Sequence, residues 1–165
     1  MEITKVGVES IPTIQSLANT TWAVAYREIL SEAQMSYMLD LIYSAASLQK
    51  QIEELGHRFI VASVNNVASG FASYSVKNKK ELGIFKLQKI YVDPALQGSG
   101  IGKALLDFVI SEIRPLGAKT LELNVNRHNK ALGFYQKLGF VIIGEKDIPI
   151  GNGYFMNDFI MKVNV

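Results

Sequence analysis

The chain reads as an α+β fold, a mixed and mostly antiparallel sheet of about seven strands flanked by helices. Three observations predict it. The middle of the sequence holds three consecutive β-leaning runs, Phe59 to Val64, Val67 to Val76 and Leu82 to Val92, separated by polar turns that make neighbours antiparallel. The third run stops at Asp93-Pro94, and a loop carrying Gly98, Gly100 and Gly102 opens into the amphipathic run Leu105, Leu106, Phe108, Val109, Ile113. The next strand, Thr120 to Val125, follows a helical connection and is therefore a parallel neighbour of the one before it.

Each element has a local reason. Glu2 to Val6 alternates and reads as a first strand. A helix starts near Ile11, tolerates Pro12 in its first turn, and stripes Ile14, Leu17, Ala18, Thr21, Trp22 and Ala25 on one face before ending over Tyr26 to Leu30. Ser31 caps a second helix with Met35, Met38, Leu39 and Ile42, and Ser44 to Leu55 is a third, closed by Gly56. Asn65-Asn66 turns the first hairpin and Asn78-Lys79-Lys80 the second. The helix over Gly100 to Arg114 stops at Pro115-Leu116-Gly117. His128 to Leu138 is a short helix with Ala131, Phe134, Tyr135 and Leu138 inward, and Gly139-Phe140 begins a strand through Ile143. Asp147 to Gly153, with Pro149, Gly151 and Gly153, reads as a loop, and Tyr154 to Val163 is the last strand.

Composition narrows the function. The 165 residues suit one domain spanning 1–165, and 48% apolar against 19% charged residues is the balance of a folded globule. No cysteine is present, which excludes disulfides and a thiol nucleophile. A net charge of +2 gives no argument for nucleic acid or a membrane surface as partner. Met1-Glu2-Ile3 starts no signal peptide and no apolar run approaches the ~20 residues of a membrane span, so a cytoplasmic protein is expected. His57 and His128 stand far apart without cysteines, and no metal is expected.

The glycine loop carries the chemistry. The first amides of a helix lack intrahelical partners, and glycines let a ligand approach them, so a strand, a glycine loop and a helix make an anion site for which phosphate is the usual guest. A nucleotide-hydrolysing loop needs glycine where Gln97 stands and Ser or Thr where Ala104 stands. A dinucleotide fingerprint needs a third glycine where Lys103 stands. What remains is Gln97-x-x-Gly100-x-Gly102 after a strand ending Tyr91-Val92-Asp93-Pro94.

That pattern resembles the acyl-CoA loop of the GNAT N-acetyltransferase family, whose signature is Gln or Arg, two residues, Gly, one residue, Gly or Ala. Ala131-x-x-Phe134-Tyr135-x-Lys137-x-Gly139-Phe140 and the order of elements are similar to the same family. Trp22-x-x-x-Tyr26-Arg27, Met35 to Leu48 and Gly153-Tyr154-x-Met156 look more like its polyamine-acetyltransferase branch than its ribosomal-protein branch. The resemblance implies the GNAT fold, acetyl-CoA as cofactor with CoA as product, and an N-acetyltransferase acting by direct attack in a ternary complex.

Residue by residue, the resemblance assigns the diphosphate to the loop of Gln97, Gly98, Ser99, Gly100, Ile101, Gly102 and Lys103, and the pantetheine arm to main-chain groups of Ile90, Tyr91 and Val92. Tyr135 matches the tyrosine that protonates the departing sulfur; a phenol near pKa 10 lies within about 1.5 units of a thiol near 8.5, close enough for its proton to pass to the sulfur as the C–S bond breaks. His128 takes the place where many members have asparagine and Asn129 follows it, leaving open which faces the cofactor. The glutamate that often serves as general base on the preceding strand is replaced here by Gln88 and Lys86. Glu81, Glu122, Glu28 and a water chain stay open for that role.

Trp22, Tyr26, Glu28 and Glu32 offer aromatic faces and carboxylates to a cationic amine. The acceptor is read as a small primary amine, first of all a polyamine, with protein or peptide acetylation and a catalytically silent CoA-binding sensor as rivals. Homodimerisation through the final strands is left open.

Overall fold

The computed structural model describes residues 1–165. Its strands are β1 (Glu2–Val6), β2 (Arg58–Val64), β3 (Val67–Val76), β4 (Ile84–Val92), β5 (Thr120–Asn126), β6 (Val141–Gly151) and β7 (Tyr154–Asn164). The helices are α1 (Ile11–Ala25), α2 (Glu32–Tyr43), α3 (Ala45–Glu53), α4 (Ile101–Ile113) and α5 (Ala131–Lys137). All strands join one sheet in the order β1-β2-β3-β4-β5-β7-β6, antiparallel except for β4 against β5. This is the GNAT arrangement that the resemblance implied. No helix is long and apolar enough to cross a membrane.

Alternation along the strands builds two cores. One face carries Ile60, Ala62, Leu87, Leu121, Leu123 and Met161 against Leu105, Val109 and Ile113 of α4 and Tyr135 of α5. The other carries Phe59, Val61 and Phe71 against Ile14, Leu17, Trp22, Met38 and Leu48 of α1 to α3. Local chemistry sets the ends. Ser31 Oγ accepts from the Gln34 amide and Ser44 Oγ from the Ser47 amide, satisfying a free N–H at the start of α2 and of α3. Asn65 and Asn66 both sit in left-handed backbone, φ 51° and 63°, the geometry of a two-residue hairpin that matches strand twist.

The expected elements shift in five places. The strand expected from Leu82 begins at Ile84, and Leu82 lies exposed outside it. The helix expected from His128 begins at Ala131, because the Asn129 side chain accepts from the Ala131 amide and holds the preceding residues in a turn. The third helix is shorter than Ser44 to Leu55, and α1 ends at Ala25. The loop expected over Asp147 to Gly153 is instead strand as far as Gly151. β6 is an edge strand, and Pro149 stands where its register shifts, so the missing proline N–H removes no ladder bond the sheet needs.

The feature that positions the site is a partial separation of β4 from β5. They pair only from Ile84 opposite Thr120 to Leu87 opposite Leu123. Against β3, Leu87 faces Tyr74 and Lys89 faces Ser73, so Gln88 is an extra residue and β4 bulges there. A bulge bends its strand and adds twist. Above it, β4 keeps its β3 partner and leaves its other edge open.

Candidate active site

The cleft at that opening has a volume of about 620 Å³ and is lined by β4 from Leu87 to Val92, by Leu123 to Val125, by the glycine loop, by the end of α1 and by the turn into α5. Its floor is backbone. Asp93 donates its amide to Ser69 O on β3. Strand alternation then turns Tyr91 toward β3 as well, while the main-chain groups of Ile90 and Val92 face the gap.

At one end the loop presents amides. Gly100, at φ 89°, is the residue before α4, and the first main-chain bond to close there is Ala104 N–H to Gly100 O. The amides of Gly98, Gly100, Ile101, Gly102 and Lys103 have no main-chain acceptor. Unlike α2 and α3, α4 has no side-chain cap. Five unpaired donors and the positive end of a helix dipole are therefore gathered in one loop. Gly102 is small for a second reason: a Cβ there would come within 3.3 Å of the Phe134 ring. Lys103 Nζ lies 2.7 Å from Asp107, one turn on.

Most of the expected residues share this cleft. Tyr26, Glu28, Ile90, Tyr91, Val92, Gln97, Gly98, Gly100, Ile101, Gly102, Lys103, His128, Asn129 and Tyr135 all line it. Ser99 does not; its hydroxyl donates to Leu96 O and tightens the loop. Trp22 does not either. It is 3% exposed and lies behind Tyr26, with ring centroids 4.6 Å apart, and so props the wall without facing the cleft. Asn124 and Lys130 line the cleft without having been singled out, since an isolated polar residue gives no signal in sequence, and Arg27 and Phe134, which belong to the quoted motifs but were given no role, line it too.

Three phenols dominate the interior. Tyr135 is packed edge-on between Phe134 and Phe140, at 5.4 and 5.7 Å, and burial pushes its hydroxyl far above the usual phenol value. Tyr26 and Tyr91 are raised chiefly by burial too, and their hydroxyls meet at 3.3 Å. Asn129 Nδ2 donates to the Tyr26 hydroxyl at 3.5 Å, tying α1 to the turn before α5. All three remain protonated donors at neutral pH.

β4 offers no acid. Gln88 donates to Ser75 Oγ, and Lys89 Nζ reaches Gln51 Oε1 at 2.6 Å over the faces of Phe59 and Tyr43. Burial, then repulsion from Lys86, brings Lys89 down to about 8. Of the open base candidates, Glu122 lies 3.1 Å from Lys77 and Glu81 3.4 Å from the same lysine, whereas Glu28 is exposed on the cleft rim.

Residues 27–151 match the Acetyltransferase (GNAT) domain, a span that takes in the glycine loop and the Tyr135 motif. An uncharacterized N-acetyltransferase of Methanocaldococcus jannaschii is 35% identical over 56% of this chain, and the match spans 42% of that relative's length. Another, from the pepI 3′ region of Lactobacillus delbrueckii subsp. lactis, is 23% identical over 98% of this chain and 96% of its own. Among solved structures, the PaiA N-acetyltransferase of Thermoplasma acidophilum in complex with coenzyme A superposes with a TM-score of 0.83 at 25% identity, covering 99% of this chain and 98% of that one. An opened β4–β5 pair with uncapped amides at its mouth, and a domain match across both motifs, place this chain in the GNAT acetyltransferase family of acetyl-CoA-dependent N-acetyltransferases.

Proposed function

We propose that the protein transfers the acetyl group of acetyl-CoA to the primary amine of a small molecule, by direct attack with both substrates bound. The observation that carries this reading is the set of five unpartnered amides from Gly98 to Lys103 at the mouth of the opened sheet. They fit a diphosphate in number, polarity and access. The PaiA relative, solved with coenzyme A, supports the same ligand. Acetyl-CoA supplies an activated thioester carbonyl. The main-chain groups of Ile90 and Val92 line the gap as the pantetheine arm requires, and an N–H there stabilises charge that grows on the carbonyl oxygen. Tyr91 contributes its ring and hydroxyl to the acceptor side instead of its main chain.

Tyr135 gives its proton to the departing sulfur. Burial keeps its proton in place in the resting enzyme. Transfer from so weak an acid to sulfur is uphill and is drawn forward by the proton that the newly acylated amine nitrogen, a far stronger acid, returns to the phenolate. With no cysteine in the chain, no thiol carries the acyl group and attack is direct. Both His128 and Asn129 border the cleft; Asn129 is committed to Ala131 and Tyr26, so we assign the cofactor arm to the exposed His128.

Tyr26 and Glu28 border the acceptor side, backed by Trp22. Among the charged residues lining the cleft, Glu28 alone is acidic, against Arg27, Lys89, Lys103 and Lys130. That balance favours an acceptor with one cationic centre over a polyamine. Coenzyme A titration, followed by thiol release with amino acids, simple amines, spermidine and peptides, tests the reading. Binding of coenzyme A with release driven by small amines supports it; release only with peptides moves the acceptor class, and binding without release from any amine leaves a sensor. Tyr135→Phe is expected to lower kcat by roughly 10²-fold or more while coenzyme A affinity stays within twofold; an unchanged kcat removes the assigned acid.

A further inference from the structure

A protonated amine must lose a proton before it attacks, and β4 carries Lys86, Gln88 and Lys89 where a carboxylate would receive it. Two carboxylates in the chain are buried, Glu122 and Asp158. Glu122 stands level with Lys86 in the part of the sheet that stays paired, and Lys77 neutralises it. Asp158 has a different setting. On β7 it lies opposite Asn126, beside Asn124, along the stretch of β5 whose other edge is open to the cleft. Its neighbour Phe159 turns to the α4 core, so Asp158 faces the opposite layer, the one that holds Tyr26.

Asp158 is 4% exposed and stands just behind the cleft lining, next to Asn124, which does line it, and no cation lies within ion-pair distance of the carboxylate. Arg127, just past the end of β5, is taken by Glu145 and Asp147. The other groups on this face are Lys86 on β4, Glu122 on β5, Lys146 on β6, Lys162 on β7, and Tyr26 on α1. Burial lifts the Asp158 carboxyl above its ordinary range, partly offset by the Asn124 amide, Lys86 and Arg127. Its charge in turn helps to raise the Tyr26 hydroxyl, a group on the cleft wall.

We propose that Asp158, one side chain behind the cleft wall at Asn124, is the carboxylate that draws the acceptor ammonium to the open end of the β4–β5 gap and takes its proton. The assignment rests on the acetyltransferase reading above. The ammonium N–H breaks and its proton goes to the Asp158 carboxylate; the freed lone pair forms the N–C bond to the acetyl carbon as the C–S bond breaks. The sulfur takes the Tyr135 proton, the second amine proton restores the phenol, and Asp158 releases its proton to water.

Asp158→Asn separates this role from a structural one. A carboxyl whose pKa rises on folding favours the fold only at pH low enough to protonate it, and that benefit is lost as pH climbs through the folded value. At neutral pH the charge is therefore a liability to the fold. We expect Asp158→Asn to keep or raise Tm, keep coenzyme A affinity within twofold, lower turnover about 10²-fold, and lose the acidic limb of the kcat/KM profile. Asp158→Glu should restore part of the turnover. Turnover within threefold of wild type with the same acidic limb overturns the proposal, as does a parallel fall in Tm, coenzyme A affinity and turnover. Wild-type protein that binds coenzyme A but releases no thiol with any amine fails at the acetyltransferase reading itself, and Asp158 falls with it.

Discussion

β4 and β5 are two strands with two characters. Over Ile84 to Leu87 they are zipped, with Phe85, Leu87, Leu121 and Leu123 pointing into one core; above Gln88 they part, and the same strands line a cleft. The paired half spends its backbone donors and acceptors on the ladder and its side chains on packing. The parted half withholds both, and what it withholds is what a ligand uses. One inserted residue, Gln88, separates the two, because β3 stays paired on the far side across the register shift while β4 bends away from β5. Helix starts show the same contrast, since α2 and α3 satisfy an amide with Ser31 and Ser44 and α4 leaves its amides free.

Substitutions on either side of Gln88 test that division. In the zipped half, Leu123→Ala removes a fully packed side chain and should cost about 2–5 kcal/mol of stability in a denaturant titration. A loss under about 1 kcal/mol would mean that the paired half is not the mechanical anchor. In the parted half, Val92→Pro deletes an amide that faces the gap and not the β3 ladder. It should lower kcat by about 10²–10³-fold with a small change in stability; equal damage to both would show that this amide serves the sheet.

Gly100→Ala forces a Cβ into left-handed backbone at the start of α4, at a cost of about 1–2 kcal/mol. Coenzyme A affinity should fall about tenfold through displacement of the loop amides, as isothermal titration would read. The smallest effect concerns His57, near the foot of the sheet, whose pKa falls to about 4 through burial and then repulsion from Lys89 and Lys86. A folded value below the usual one near 6.5 means the unfolded chain takes up the proton first, so stability present above about pH 6.5 drains as pH falls toward 4. His57→Gln should flatten stability across that window, and an unchanged slope would assign the acid sensitivity elsewhere.

Much of this was legible because it is local. Strand alternation, Ser31 as a cap, the Asn65-Asn66 turn and the helical crossover into Thr120 each depend on neighbours in sequence, and the structure has them all. Pro149 misled for the same reason: by local rule it breaks a strand, and only its place on the sheet edge makes it harmless. Trp22, Tyr26 and Glu28 look alike as candidates along α1, yet Trp22 is covered by Tyr26 and only the other two meet the cleft.

By itself the sequence determined the element order, the two core stripes and the uncapped glycine start of α4, since period, capping and backbone freedom are properties of a residue and its near neighbours. Only the tertiary structure decided that β4 leaves β5 at Gln88, that Asn129 reaches Tyr26 across the cleft, and that a buried carboxylate on β7 stands beside the opening in β5. Those facts depend on register and on burial from several directions, and neither is written in any short window of the chain.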